Sequence, residues 1–416
     1  MNQGAAGKAQ FEGYGRNHGI DMLRGLSILL VIFNHVGIRI PLAKTGLAAF
    51  APERLLHAIN YRGYEGVFIF FVISGFLITT NALQRWGSLD RISFKAFYSR
   101  RFARIAPCLV ALVLVLSLLH VVGADGYVIH RPGQSLAGAI LSALGLHLNW
   151  YEGQTGWLPA GWDVLWSLSI EEMFYLGFPI ICLLTRRLWV LVPLLVVLAL
   201  SLPITRGWAH GNEIWLEKAY LPGMAAIATG VLGALIARHF RPSRMWAVRL
   251  LIALGALALA TTLLAEIYVW HLVGEGFMLL LTISTMALIV GMHWRHEMKP
   301  QRQALRGFGW LRSLGFHSYE IYLTHMFVVL SAVALFRANG SDMQLGYLWY
   351  LPSILLSWLL GVAVARWFSI PSDRRLRNYL LAPEAGTDTR VAMPQQPALD
   401  SGATGRGSSA APQMRQ

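Results

Sequence analysis

Cysteine is nearly absent from this chain: Cys108 and Cys182 are the only two in 416 residues, each inside an apolar segment, with no CxxC or Cys/His spacing near either. That scarcity excludes a disulfide framework and gives no support to a metal site. Charge is scarce as well, with 13% Asp, Glu, Lys and Arg against 55% apolar residues. Such a balance is far from that of soluble globular chains, of which about a quarter is charged. Long polar stretches are missing too. The longest are the loops near 40–65 and 151–164 and the two tails, so no large soluble domain is present. The opening MNQGAAGKAQFEGYGRNHG has no apolar run before Ile20 and does not read as a cleaved signal peptide. No internal repeat suggests the inverted halves of many secondary transporters.

Long apolar runs, in contrast, are abundant. Segments near 20–41, 66–84, 105–123, 165–185, 188–204, 219–238, 248–266, 272–293, 316–337 and 347–367 are each able to cross a bilayer. The expected fold is therefore all-α, a polytopic bundle of about ten spanning helices. The shorter apolar piece 136–150, between Pro132-Gly133 and a Gly/Trp-rich loop, reads as a re-entrant or interfacial segment. The chain divides into an N-terminal cytoplasmic segment 1–19, a membrane domain 20–380 and a Gly/Pro/Ser-rich tail 381–416 that is expected to be disordered.

The net charge of +14 raises the question of nucleic acid, but its distribution answers it. With both termini placed in the cytoplasm, the inner loops hold roughly twice as many Lys and Arg as the outer ones, which is the usual topogenic bias. No nucleic-acid partner is implied. The expected location is a bacterial inner membrane, with lipid as the surrounding partner.

Ionisable residues at membrane depth are costly and need a reason. In IDMLRGLSILLVIFNHVGIRI, Arg24 and His35 are eleven residues apart. At about 100° per residue they share one helical face, about 16 Å apart along the axis. Asp21 can pair with Arg24, and Ser27 continues the stripe. The plainer alternative is a snorkelling Arg24 and an interhelical hydrogen bond at His35. In GWDVLWSLSIEEMFY, Glu171 and Glu172 are adjacent and cannot share a face, so one is expected to enter a cavity and the other to pair elsewhere or lie near the interface. A buried carboxylate beside a histidine sets the imidazole tautomer, whereas a helix N-terminus also favours acids. FKAFYSRRFARIAP gathers Arg100, Arg101 and Arg104, a spacing suited to phosphates or to topology alone. HSYEIYLTHMF places His317, Tyr319, Glu320, Tyr322 and His325 at the start of an apolar helix.

In this order, the pieces resemble the bacterial membrane acyltransferase 3 family, whose members add acetyl and related groups to polysaccharides, lipopolysaccharide, Nod factors and macrolides. Arg24-x10-His35 looks like its first-helix signature, and GVFIFFVISGFLIT is similar to its glycine-flanked second helix. FYSRRFARIAP resembles its arginine loop, WSLSIEEMFYLGFP its Trp-Ser segment, and SYEIYLTH its Ser-Tyr helix. Two positions depart from the pattern. Phe68 stands where many relatives carry a polar residue, and Ser369-Ile370-Pro371 where the last helix often ends in Glu-x-Pro.

The resemblance implies an O-acyltransferase that takes an acyl group, most often acetyl, from cytoplasmic acyl-coenzyme A. The acceptor is a hydroxyl of a glycan, a lipid-linked sugar or a related molecule, and no bound cofactor or metal is needed. On that reading His35 is the general base or acyl carrier, polarised by Glu171 or Glu172. Arg24, Arg101 and Arg104 position the donor, and Ser74, Tyr175 and His325 are supporting or acceptor contacts. The competing reading is a transporter or flippase of an amphipathic solute that does no covalent chemistry.

Overall fold

The computed structural model describes residues 17–209, 211–299 and 307–382. Among them all regular structure is helical, with no strand. We number the principal helices α1 (His18–Gly37), α2 (Gly63–Trp86), α3 (Phe94–Val121), α4 (Trp166–Thr185), α5 (Leu188–Leu200), α6 (Tyr220–His239), α7 (Met245–Leu264), α8 (Gly276–Met298), α9 (Ser318–Ala338), α10 (Tyr350–Val364) and α11 (Ile370–Leu380). The described residues up to Leu381 belong to one compact unit. The tail expected to be disordered lies outside the described residues except for Leu381 and Ala382.

Nine helices among the described residues are long and apolar enough to cross a membrane, and the multi-pass expectation holds. The difference lies at 188–204. There α5 stops at Leu200 and the chain restarts as the short helix Leu202–Gly207, which carries Pro203 in its first turn. Proline has no N–H to continue the ladder and its ring disfavours helix in the residue before it, which explains the break. At 13 residues, α5 is about 20 Å long, less than the hydrocarbon thickness. The segment 136–150 is also divided, into Leu136–Leu144 and Leu148–Thr155.

Local chemistry sets the registers that matter for function. Asn17 caps α1, its side chain accepting from Gly19 N at 3.0 Å and Ile20 N at 3.4 Å, and it donates to Met292 O of α8 at 3.1 Å. Ser93 caps α3 by accepting from Ala96 N, which puts the arginine run in the first turns of that helix. The backbones of α2 and α6 approach closely. A Cβ on Gly75 would lie 2.0 Å from Ile227 O, and one on Gly230 2.0 Å from Val72 O, so only glycine fits at these two crossing points. That contact fixes the neighbouring Ser74 on the bundle's inner side.

Between α10 and α11 the helix passes through a π-helical turn, Ala365–Ser369, just ahead of Pro371. Proline removes the ordinary rung there, and the wider turn redirects Ser369 inward, where it is 2% exposed.

Candidate functional site

A cavity of about 480 Å³ opens among α1, α2, α3, α4, α9 and α11. Its walls include most residues singled out from the sequence: Arg24, Ser74, Arg101, Arg104, Glu171, Glu172 and Tyr175. Both glutamates line it, so the expectation that one enters a cavity while the other pairs elsewhere or lies near the interface is corrected. Their side chains point about 100° apart, and a chamber this wide is flanked by both directions.

At the centre, Tyr175 donates to Glu171 Oε1 at 2.5 Å, one helical turn away on the same face, and Ser74 Oγ makes short hydrogen bonds to both. The Arg101 guanidinium lies 3.6 Å above the Tyr175 ring. Tyr175, Glu172 and Glu171 all act on its charge. Arg104 is balanced by Glu320. Its Nη2 lies 2.9 Å from Glu320 Oε1 and its Nη1 donates to Ser369 Oγ at 3.0 Å, while Ser369 donates to Glu320 at 2.7 Å. The carboxylate missing at position 369 is thus supplied from α9. Arg24 donates from Nε to Ser318 Oγ at 3.1 Å.

Beyond the cavity's inner end stands a second group. Tyr322 lines the cavity, donates to Val164 O at 3.0 Å and shares a 2.7 Å hydrogen bond with Ser167. Its ring lies 5.7 Å from that of His325, and His325 packs edge-on against His35 with ring centroids 5.0 Å apart. His35 Nδ1 is 2.8 Å from the Val31 carbonyl, one turn back on α1. A carbonyl only accepts, so Nδ1 carries the hydrogen, and in the neutral ring Nε2 keeps its lone pair. His325 is fixed in the same way by the Tyr322 carbonyl at 2.7 Å, and its Nε2 is buried with no hydrogen-bond partner among the described residues. His35 keeps a partly accessible surface.

Neither glutamate is among the groups whose charge acts on His35. Among carboxylates, Asp163 exerts the strongest field on it. The reason is axial distance: Glu171 lies eight residues further along, about 12 Å at helical rise, at the other end of the chamber. The Trp-Ser segment does face the histidine, but through its first acid.

Asp163 is held in turn by Lys218, whose Nζ also donates to Glu152 Oε2 at 2.8 Å and sits 4.1 Å over the Trp157 ring. Lys218 is 1% exposed and Glu152 fully buried. Burial raises the Glu152 carboxyl well above its usual range, with Asp163 adding to the effect and Lys218 opposing it. Glu152 also accepts from Leu158 N at 3.0 Å, pinning the loop that carries Trp157. Sequence reasoning missed both Lys218 and Glu152. Little in the sequence marked them: Lys218 follows Glu217 directly, and charges just ahead of an apolar span are ordinary.

Comparison with known proteins follows the same segments. The acyltransferase domain family matches residues 17–367. The chain is 30% identical over 212 residues to the peptidoglycan O-acetyltransferase of Listeria monocytogenes, covering 49% of this chain and 29% of that protein. It is 33% identical over 147 residues to a candidate peptidoglycan O-acetyltransferase of Bacillus subtilis, covering 32% and 22%. It thus spans less than a third of the length of these relatives. No solved structure matches.

Proposed function

The chain belongs to the acyltransferase domain family, matched through residues 17–367, and from that premise we propose that it is a membrane O-acyltransferase. It takes an acyl group, acetyl first, from acyl-coenzyme A to a glycan hydroxyl. The observation that carries this reading is the meeting of two chemically distinct groups at Tyr322. On one side is an arginine-rich cavity, and on the other an imidazole pair backed by Asp163. The arginine-rich end faces the cytoplasm, where the donor is made, and the Lys218 end faces outward. The names of the relatives support a peptidoglycan-like acceptor.

In the proposed step the acceptor hydroxyl attacks the thioester carbonyl while His35 Nε2 takes its proton. The C–O bond forms, the tetrahedral intermediate collapses with cleavage of the C–S bond, and the proton passes from the imidazolium to the departing sulfur. Free thiol and ester are the products. Asp163 stabilises the transient imidazolium, and His325 buttresses the His35 ring. The Glu171–Tyr175–Ser74 group with Arg101 shapes the donor channel instead of acting on His35.

The test is acyl transfer in membranes from cells expressing the chain, read by mass spectrometry of envelope glycans and by release of coenzyme A. Expected is an acetyl mass increase that His35→Ala lowers by about 10²–10⁴ at equal protein level, as for loss of a general base. Near-normal turnover in that variant removes His35 from the chemistry. Solute accumulation without a mass change favours the transport reading instead.

A further inference from the structure

Besides Arg24, the arginines that line the cavity fall into two sets. Arg104 pairs with Glu320, and Arg101 lies over the Tyr175 ring in the field of Glu172 and Glu171. Arg85, Arg100 and Arg377 share a single carboxylate. They come from three elements, the last turn of α2, the second turn of α3 and the last turn of α11, and all three line the cavity. Their charges act on one another: Arg377 on Arg85, and both Arg85 and Arg377 on Arg100.

The acid among them is Asp373, which accepts from Arg377 Nη2 at 2.5 Å. Three guanidiniums against one carboxylate leave an excess of positive charge. Arg100 Nε and Arg377 Nε are moreover buried with no hydrogen-bond partner among the described residues, as is the second oxygen of Asp373. Buried N–H donors are rarely left unmade, and like charges are not drawn together without an anion between them.

We propose that Arg85, Arg100 and Arg377 form a phosphate subsite that grips the phosphorylated end of the donor, so that α11, which lies beyond the matched residues 17–367, is part of the donor site. The inference rests on the acyl-coenzyme A reading above. Guanidinium forks suit phosphate oxygens, each able to make paired, charge-assisted hydrogen bonds. The geometry agrees with a donor laid along α2. Arg85 and Ser74 are eleven residues apart on that helix, about 16 Å along its axis. A phosphate held at Arg85 therefore leaves a thioester at the end of an extended pantetheine arm near Ser74 and Tyr322. Arg101 and Arg104 shape the channel walls between these ends. The same chemistry would also hold an anionic phospholipid headgroup, and the test separates the two sources.

The experiment measures equilibrium binding of coenzyme A, and of phosphate-free pantetheine, to the purified full chain in neutral detergent. It compares the wild type with Arg377→Gln, Arg100→Gln and Arg377→Lys. Expected is a rise in the coenzyme A Kd of about tenfold or more in each Gln variant, smaller in the Lys variant, as for loss of a charge-assisted hydrogen bond. The preference for coenzyme A over pantetheine should collapse with it, and the salt dependence of binding should flatten. Coenzyme A Kd values within about twofold of wild type in both Gln variants overturn the subsite while leaving the donor reading intact. Unchanged coenzyme A binding together with loss of co-purifying phosphatidylglycerol assigns the trio to a lipid headgroup and also overturns it. A wild-type protein that binds no coenzyme A removes the donor reading itself and the subsite with it. If Arg377→Gln does not fold, Arg85→Gln, at the exposed rim, carries the same measurement.

Discussion

Replacing Asp163 by Asn separates the electrostatic role of this residue from its structural one. The substitution keeps size and hydrogen bonding but removes the negative charge that His35 meets when it becomes an imidazolium. Asp163 and His35 are outside direct ion-pair contact, so the interaction is a through-space one. At an effective dielectric of about 20 a contact pair at about 4 Å is worth about 4 kcal/mol, so beyond contact the attraction should be on the order of 1–2 kcal/mol, or roughly five- to thirtyfold in rate. Folding should suffer less than rate, because Glu152, which the Asp163 charge helps to hold protonated, can ionise once that charge is gone and pair with Lys218 at 2.8 Å. The assay is acyl transfer at saturating donor in purified protein, paired with the thermal midpoint of the same sample, for Asp163→Asn, His35→Asn and the double variant. If Asp163 acts through His35, its removal has little further effect once His35 is gone, so the cycle is strongly non-additive. An equal fold-loss in both backgrounds, or a single variant with rates within about twofold of wild type, refutes the assignment of Asp163 as the partner of His35.

Other outcomes follow from the same geometry. Glu152 has a raised carboxyl, so the folded state holds a proton that the unfolded chain releases above about pH 4.3; stability should fall as pH rises from there toward the raised value. Glu152→Gln, which cannot titrate, should flatten that slope in a series of thermal midpoints, and an unchanged slope would show that another group governs it. Glu320→Gln leaves Arg104 without its carboxylate and Ser369 without a charged acceptor; with Arg104 about a third exposed, the cost should be on the order of 2 kcal/mol, seen as a lower thermal midpoint. Arg104→Gln combined with Glu320→Gln should recover part of that loss, because the pair is removed together.

What could be read from the chain and what could not differ for a physical reason. Apolar runs of spanning length must be buried in lipid or protein whatever surrounds them, so nine of the ten expected spans meet long helices, and part of each family motif falls on the cavity wall, with His35 and His325 beyond it. Pro203 does not read as a break because membrane helices often tolerate proline, as α5 itself does at Pro193. The same holds more sharply for charge pairing. Arg24, His35, Arg101 and Glu171 stand out because each is costly where it sits. Nothing local, however, says that the Arg104 charge is spent on Glu320, 216 residues away, while that of Arg100, four residues before it, is left over. Lys218 and Glu152 flank apolar segments, where charges are ordinary, and only the fold brings them together beside Asp163. Adjacent arginines in one motif can therefore have opposite duties, one neutralised to build a wall and one left open to bind. The partner that decides between these duties lies on another helix, so spacing along a single segment cannot predict it.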